Sequence, residues 1–141
     1  MDILYTASAL STGEGRSGHV RTSDGSLDTD LFPPQEMGGP GGGLNPEMLF
    51  AAGYAACFHS AMLGISKQRG VTLADESVTA EVGIGRNESG VGFGLAVTLR
   101  VELPGLSQQD ADALVAAAHE VCPYSNATRG NVDVTLDVTV G

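Results

Sequence analysis

The chain carries two cysteines in 141 residues, Cys57 and Cys122, and their sulfurs are the most reactive side chains that its sequence offers. Cys57 lies in Gly53-Tyr54-Ala55-Ala56-Cys57-Phe58, among small and apolar residues. Burial in such surroundings disfavours a thiolate, so the local sequence describes an inert thiol or a small core hydrophobe. Cys122, directly before Pro123, falls at the C-terminal end of a helix, where the negative end of the dipole disfavours a thiolate again. For either thiol to react, a cation must reach it from elsewhere in the chain. Only seven Lys and Arg are available. Arg16, inside Gly13-Glu14-Gly15-Arg16-Ser17-Gly18, is the first candidate, because a glycine-rich turn lets a guanidinium approach another backbone closely. Arg129 is the second, with a solvated loop charge as the alternative. Glu47 has the chemistry to hold an arginine fork by a bidentate pair, although an acid in the first turn of a helix also simply complements its dipole.

Cys57, His59, His119 and Cys122 nominally make a two-cysteine, two-histidine metal set. On a helix, however, Cys57 and His59 point about 200° apart at ~100° per residue, and both cannot reach one ion. His119 and Cys122, at i and i+3, have the spacing to share one, which keeps a metal–thiolate protein as an alternative. The paired Cys-x-x-Cys of a zinc knuckle is missing, so no metal is expected. No phosphate-binding loop, dinucleotide fingerprint or Gly-x-Ser-x-Gly elbow occurs in the chain.

The elements that must position these residues are legible. Asn45, Pro46 and Glu47 open a helix as N-cap, first helical residue and first-turn acid. Lys67, Arg69 and Gly70 close it. From Met48 to Ile65 this helix has almost no polar face, which marks a buried helix. At ~1.5 Å per residue it runs for roughly 36 Å, about the diameter of a domain this size. Strands are predicted over residues 2–10, 19–22 and 27–31, the last two joined by a turn at Ser23-Asp24-Gly25. A Pro- and Gly-rich loop over residues 32–44 reads as a cover packed over a site. After the helix, residues 78–87 and 92–103 alternate as paired strands. Ser107 caps a second helix with Asp110 in its first turn, and Pro123 ends it. Val132, Val134, Leu136, Val138 and Val140 alternate with polar residues in a last, half-buried strand. The order βββ-α-ββ-α-β predicts a single α+β domain over residues 1–141, with antiparallel sheets and a long buried central helix.

Composition narrows the function. With 42% hydrophobic residues the chain is globular, and its net charge of −10 argues against nucleic acid or an anionic membrane surface as partner. The acidic, alternating start Met1-Asp2-Ile3-Leu4-Tyr5 has no signal-peptide pattern. The apolar stretch around Cys57 invites a transmembrane reading, but its scattered Gly, Tyr and His and its alanine content favour a soluble buried helix. A cytoplasmic protein is the resulting expectation, and there two cysteines point to redox or metal chemistry more than to a permanent staple. Glu47 and Cys57 stand ten residues apart on the predicted helix, roughly 15 Å at ~1.5 Å per residue, too far to share a site within it. Two such helices antiparallel across a twofold axis would let one copy's Glu47 serve the other's Cys57 and would bury the apolar surface, so a homodimer is expected.

Two long segments then carry a resemblance. Asn45-Pro46-Glu47-Met48-Leu49-Phe50-Ala51-Ala52-Gly53-Tyr54-Ala55-Ala56-Cys57-Phe58 and Cys122-Pro123-Tyr124-Ser125-Asn126-Ala127-Thr128-Arg129-Gly130-Asn131 closely resemble the two signature segments of organic hydroperoxide resistance proteins, the Ohr branch of the Ohr/OsmC family. Tyr5-Thr6-Ala7, Gly15-Arg16 and Gly38-Gly39 fit the same pattern, so the resemblance spans essentially the whole chain. Glu14 departs from it, standing where the family commonly has a second glycine before the arginine.

The resemblance implies an intertwined homodimer and a thiol peroxidase that works without metal, haem or another cofactor. Cys57 matches the peroxidatic cysteine and Cys122 the resolving one, with a Cys57–Cys122 disulfide as the oxidised product. Arg16 matches the arginine that stabilises the thiolate and orients the peroxide, and Glu47 the carboxylate that positions Arg16. Organic and fatty-acid hydroperoxides are the implied substrates, and dihydrolipoyl groups on lipoylated proteins the implied reductant. Leu49, Phe50, Tyr54 and Phe58 offer apolar surface for an acyl chain. An OsmC-type peroxidase of broader preference and a non-enzymatic thiol redox sensor are the alternatives.

Overall fold

A computed structural model describes all 141 residues, which form two compact units, Met1–Leu49 and Phe50–Gly141. In the first unit, β1 (Ala9–Thr12), β2 (His19–Thr22) and β3 (Asp28–Asp30) make an antiparallel meander. Its registers run from Ala9↔Thr22 to Thr12↔His19 and from His19↔Asp30 to Arg21↔Asp28. The β1–β2 reversal depends on glycine: Gly13 and Gly15 have φ of 77° and 62°, and a Cβ at Gly18 would stand 2.2 Å from the Thr12 carbonyl oxygen. In the β2–β3 turn the Asp24 carboxylate accepts from the N–H and Oγ of Ser26 and from Thr22 Oγ1.

The strand expected over residues 2–10 begins only at Ala9. Alternation reports which face is apolar, but a strand also needs a hydrogen-bonding neighbour, and β2 offers one only to Ala9–Thr12. Ile3, Leu4 and Tyr5 are left 66%, 98% and 82% exposed. The loop over residues 32–44 folds back on itself, with a Leu31↔Leu44 bridge and Gly43 pressed against the Phe32 ring.

Helix α1 (Pro46–Gln68) forms as its caps predict, and the Met48 N–H donates to Asn45 Oδ1 at 2.9 Å. It ends at Gly70, whose φ of 68° suits glycine. Length and mean hydropathy of 1.5 alone would let α1 cross a membrane. Within this chain a single stripe is buried, Tyr54, Phe58, Met62 and Ser66 at i+4 intervals, while Met48 and Leu63 remain exposed. The all-round apolar helix is therefore covered on one side only.

In the second unit, β4 (Ser77–Arg86) and β5 (Phe93–Glu102) pair antiparallel from Ser77↔Glu102 to Arg86↔Phe93. The last strand, β6 (Asp133–Thr139), runs parallel to β5 in the register Val97↔Val134. A parallel neighbour needs a long crossover. Helices α2 (Gln108–Val121) and α3 (Pro123–Thr128) supply it. The antiparallel reading thus holds for β1–β3 and β4–β5, and β6 makes the second sheet mixed. Ser107 caps α2 as expected, accepting from the Asp110 N–H at 3.1 Å. Val97, Leu99 and Val101 of β5 meet the α1 stripe and Leu114, Val115 and Ala118 of α2 in one buried core, which Cys122 completes.

Candidate active site

Cys122 sits in the second unit between two helices, ending α2 and preceding α3. Pro123 stops α2 as the sequence predicts, but its fixed φ also suits the first position of a new helix, so the same residue starts α3. That junction carries Cys122 to Cys57. The two sulfurs stand 3.7 Å apart, the Cys122 thiol directed at Cys57 Sγ across 65 residues of sequence. Both are free thiols, Cys122 fully buried and Cys57 partly exposed.

The electrostatics of Cys57 follow the sequence expectation. Burial pushes its thiol above the ordinary range, the Tyr124 N–H pulls it down, and the neighbouring Cys122 pushes it up again. At neutral pH the thiol form therefore dominates unless a positive charge is added.

The Tyr124 contact is a feature that sequence reading missed, and Gly53 explains how it is held. A Cβ at Gly53 would stand 3.1 Å from Cε2 and Oη of Tyr124, so the ring lies directly on that glycine. The ring also meets Tyr54 edge-on, with centroids 5.8 Å apart, and Phe50 at 6.4 Å. Gly53→Ala should displace the ring, loosen the Tyr124 N–H from Cys57 and raise the thiol pKa further. Thiolate absorbance titrated against pH measures this; an unmoved curve would show that Tyr124 yields without dragging its backbone.

Cys57 opens onto a groove of about 730 Å³ that follows its own face of α1 past Ser60, Ala61 and Ile65, with Val121 on the far wall. Tyr54 and Phe58, expected as acyl-chain surface, are fully buried instead. They lie on the core stripe of α1, about 60–100° around the helix from Cys57, so the α1 wall of the groove beside Cys57 is formed by the smaller Ala56, Ser60, Ala61 and Gly64.

In the first unit, Arg16 lies in the turn Gly15–Ser17 and Glu47 in the first turn of α1. They form the bidentate pair that the sequence allowed, Nη1 donating to Oε2 at 2.8 Å and Nη2 to Oε1 at 2.7 Å. Hydrogen bonds from Arg16 hold the Glu47 carboxyl below its ordinary value, and Glu47 raises that of Arg16. The Arg16 side chain keeps 43% of its surface exposed against 13% for Glu47, so the carboxylate anchors a guanidinium that still has an open face.

The second cation candidate is committed elsewhere. Arg129 donates to the His119 carbonyl at the end of α2 and to Asn126 Oδ1. His59 Nε2 lies 3.3 Å from Glu76 Oε1. His119 Nδ1 is bonded to Ser125 Oγ at 2.7 Å, while the Cys122 thiol is turned to Cys57, so the two potential metal donors have different partners. Two pairs are thus assembled, Cys57 with Cys122 and Arg16 with Glu47, each inside its own compact unit.

The α+β scaffold thus carries a pair of unbridged thiols in contact, one buried and one opening on a groove. The family model for OsmC-like protein matches residues 39–137. The chain is 53% identical over 136 residues to an organic hydroperoxide resistance protein of Xanthomonas axonopodis pv. citri, covering 95% of this chain and 94% of that one. A solved Legionella pneumophila structure, described as an organic hydroperoxide resistance protein OsmC and predicted redox protein, superposes with a TM-score of 0.93 at 54% identity, covering 99% of this chain and 100% of that one. The organic hydroperoxide resistance protein OhrB of Bacillus subtilis superposes with a TM-score of 0.87 at 45% identity, covering 96% and 99%. The chain belongs to the OsmC-like family, in its organic hydroperoxide resistance branch.

Proposed function

We propose that this chain is a cysteine-based peroxidase that reduces organic hydroperoxides to alcohols. The names of its relatives support a peroxide-detoxifying role. The observation that carries the finer reading is the 3.7 Å contact between a partly exposed Cys57 and a buried Cys122. The Cys57 thiolate attacks the distal oxygen of the hydroperoxide; the O–O bond breaks, the alkoxide leaves as alcohol after taking a proton, and Cys57 becomes a sulfenic acid. Cys122 then displaces water from that sulfenic acid to give a disulfide. A dithiol reductant, for which dihydrolipoyl groups of a lipoylated protein are proposed, returns both thiols and is itself oxidised to a disulfide. Sulfur supplies all of this chemistry, and no cofactor is required.

The missing positive charge is assigned to Arg16, held by Glu47, which stabilises the thiolate and orients the peroxide. A homodimer is proposed to bring this pair from one copy to Cys57 of the other. Exposed Met48 and Leu63 on α1, and the unpaired Ile3–Tyr5 stretch, support a second copy as the cover for these surfaces. The groove beside Cys57 suits an alkyl or acyl chain better than hydrogen peroxide. A cytoplasmic location fits a chemistry that needs its thiols returned to the reduced state.

A thiol count with intact mass, before and after one equivalent of cumene hydroperoxide per chain, tests the reading. Loss of both thiols and of two hydrogens is expected. Two thiols surviving untouched would reduce the pair to core residues and leave the peroxidase reading without support.

A further inference from the structure

We propose that a buried chain of hydrogen bonds through Thr128, Tyr54, Ser125 and His119 is a positioning device for disulfide closure, holding Cys122 at Cys57 so that resolution outruns further oxidation. The proposal rests on the peroxidase reading above. Tyr54 and Ser125 are 0% exposed and Thr128 is 3% exposed. Tyr54 Oη is bonded to Ser125 Oγ at 2.8 Å and to Thr128 Oγ1 at 3.2 Å, and Ser125 Oγ to His119 Nδ1 at 2.7 Å.

The hydrogens can be assigned in one way only if all contacts are kept. Thr128 Oγ1 donates to the Ser125 carbonyl, which uses its one hydrogen. Tyr54 must then donate to Thr128, Ser125 to Tyr54, and the Nδ1–H of His119 to Ser125. The network is therefore directional and complete, and it fixes the His119 ring in the tautomer with hydrogen on Nδ1. Burial and Arg129 both favour the neutral ring, as that assignment allows.

Position gives the network its purpose. Tyr54 lies three residues before Cys57 on α1; His119 lies three before Cys122 on α2, and Ser125 three after it on α3. Thr128 lies six after. The bonds thus tie the α1 turn that carries one sulfur to the helices on both sides of the other. The tie matters because the sulfenic acid has two fates. Condensation with the Cys122 thiol forms the S–S bond and releases water. Attack on a second hydroperoxide releases another alcohol and leaves a sulfinic acid, which a dithiol does not reverse. Sulfurs at 3.7 Å need to approach by less than about 2 Å to bond, and an intramolecular step that close is favoured by its effective molarity. A loosened α3 gives up that advantage, while the first oxidation changes only as far as the Tyr124 N–H shifts at Cys57.

The test uses the full chain, cumene hydroperoxide in increasing equivalents, and intact mass to separate disulfide (two hydrogens lost) from sulfinic acid (two oxygens gained). Ser125→Ala removes the central oxygen and two bonds. Expected is a roughly tenfold fall in the peroxide dose that gives half sulfinic acid, the equivalent of one buried hydrogen bond's worth of positioning. The rate of first thiol loss at substoichiometric peroxide should stay within about twofold. Thr128→Val, a milder change should Ser125→Ala not fold, should shift the dose in the same direction by several-fold, and Thr128→Ser should restore it. Wild-type partitioning in both variants, or a first oxidation slowed in proportion, overturns the proposal. A wild-type chain that loses no hydrogens under peroxide overturns the peroxidase reading itself, and the positioning role falls with it.

Discussion

An Arg16→Ala chain should reduce cumene hydroperoxide about a hundredfold more slowly than the wild type at neutral pH, the scale of losing one transition-state charge partner. Burial already holds the Cys57 thiol above its ordinary range, and the Tyr124 N–H is the one contact that lowers it. If Arg16 supplies the remaining stabilisation, its loss raises the thiol pKa, and the reactive thiolate becomes scarcer below it. The sign is therefore fixed: the rate of either protein rises with pH, and the variant's curve lies at higher pH. The shape of the deficit separates two roles. A deficit that closes in alkaline solution assigns Arg16 to thiolate stabilisation alone. One that persists there assigns it to orienting the peroxide as well. Glu47→Gln, which keeps a hydrogen-bonding side chain but removes the charge that holds the fork, should show a smaller loss in the same direction. Stopped-flow rates across pH on the three proteins measure all of this, and an unchanged Arg16→Ala rate removes Arg16 from the mechanism.

Cys122→Ser should stop catalytic turnover once Cys57 is oxidised. The variant keeps Cys57, so its first reaction with peroxide proceeds, but serine cannot condense with the sulfenic acid. With a dihydrolipoyl reductant in excess, steady-state peroxide consumption should fall by at least about a hundredfold, and sulfinic acid should accumulate on Cys57 by intact mass. The expected effect is large because the proposed resolving sulfur has no substitute: at 3.7 Å it has the only other thiol of the chain as its neighbour. Full turnover in this variant would mean that the external dithiol attacks the sulfenic acid directly and that Cys122 only fills the core. The partly exposed Cys57 keeps that outcome chemically open.

Local signals in the sequence located most elements. Asn45 and Ser107 cap the helices that their side chains announce; residue chemistry offers Glu47 as the holder of an arginine fork, and only the resemblance pairs it with Arg16, as the structure does. What could not be read was pairing. Alternation in residues 2–10 and 132–140 reports which face is apolar, yet says nothing of where a neighbour lies or which way it runs. Hence β1 is shorter than expected and β6 unexpectedly parallel. Pro123 was legible as a stop; its second role, as the start of α3, needed the residues after it to be seen as one short turn of helix. The Tyr124 N–H at Cys57 and the Tyr54–Ser125–His119 bonds depend on that turn, so they were invisible for the same reason.

The 65-residue separation of the touching thiols also has a consequence for the unfolded chain. A covalent link between residues so far apart removes a large share of the conformations available to a denatured polypeptide, an entropic difference of about 4 kcal/mol in the loop-closure picture. A cycle that makes and breaks this link alternates between two chains of unequal resistance to heat and protease. In the proposed cycle, the dithiol form that meets the next peroxide is the less protected of the two.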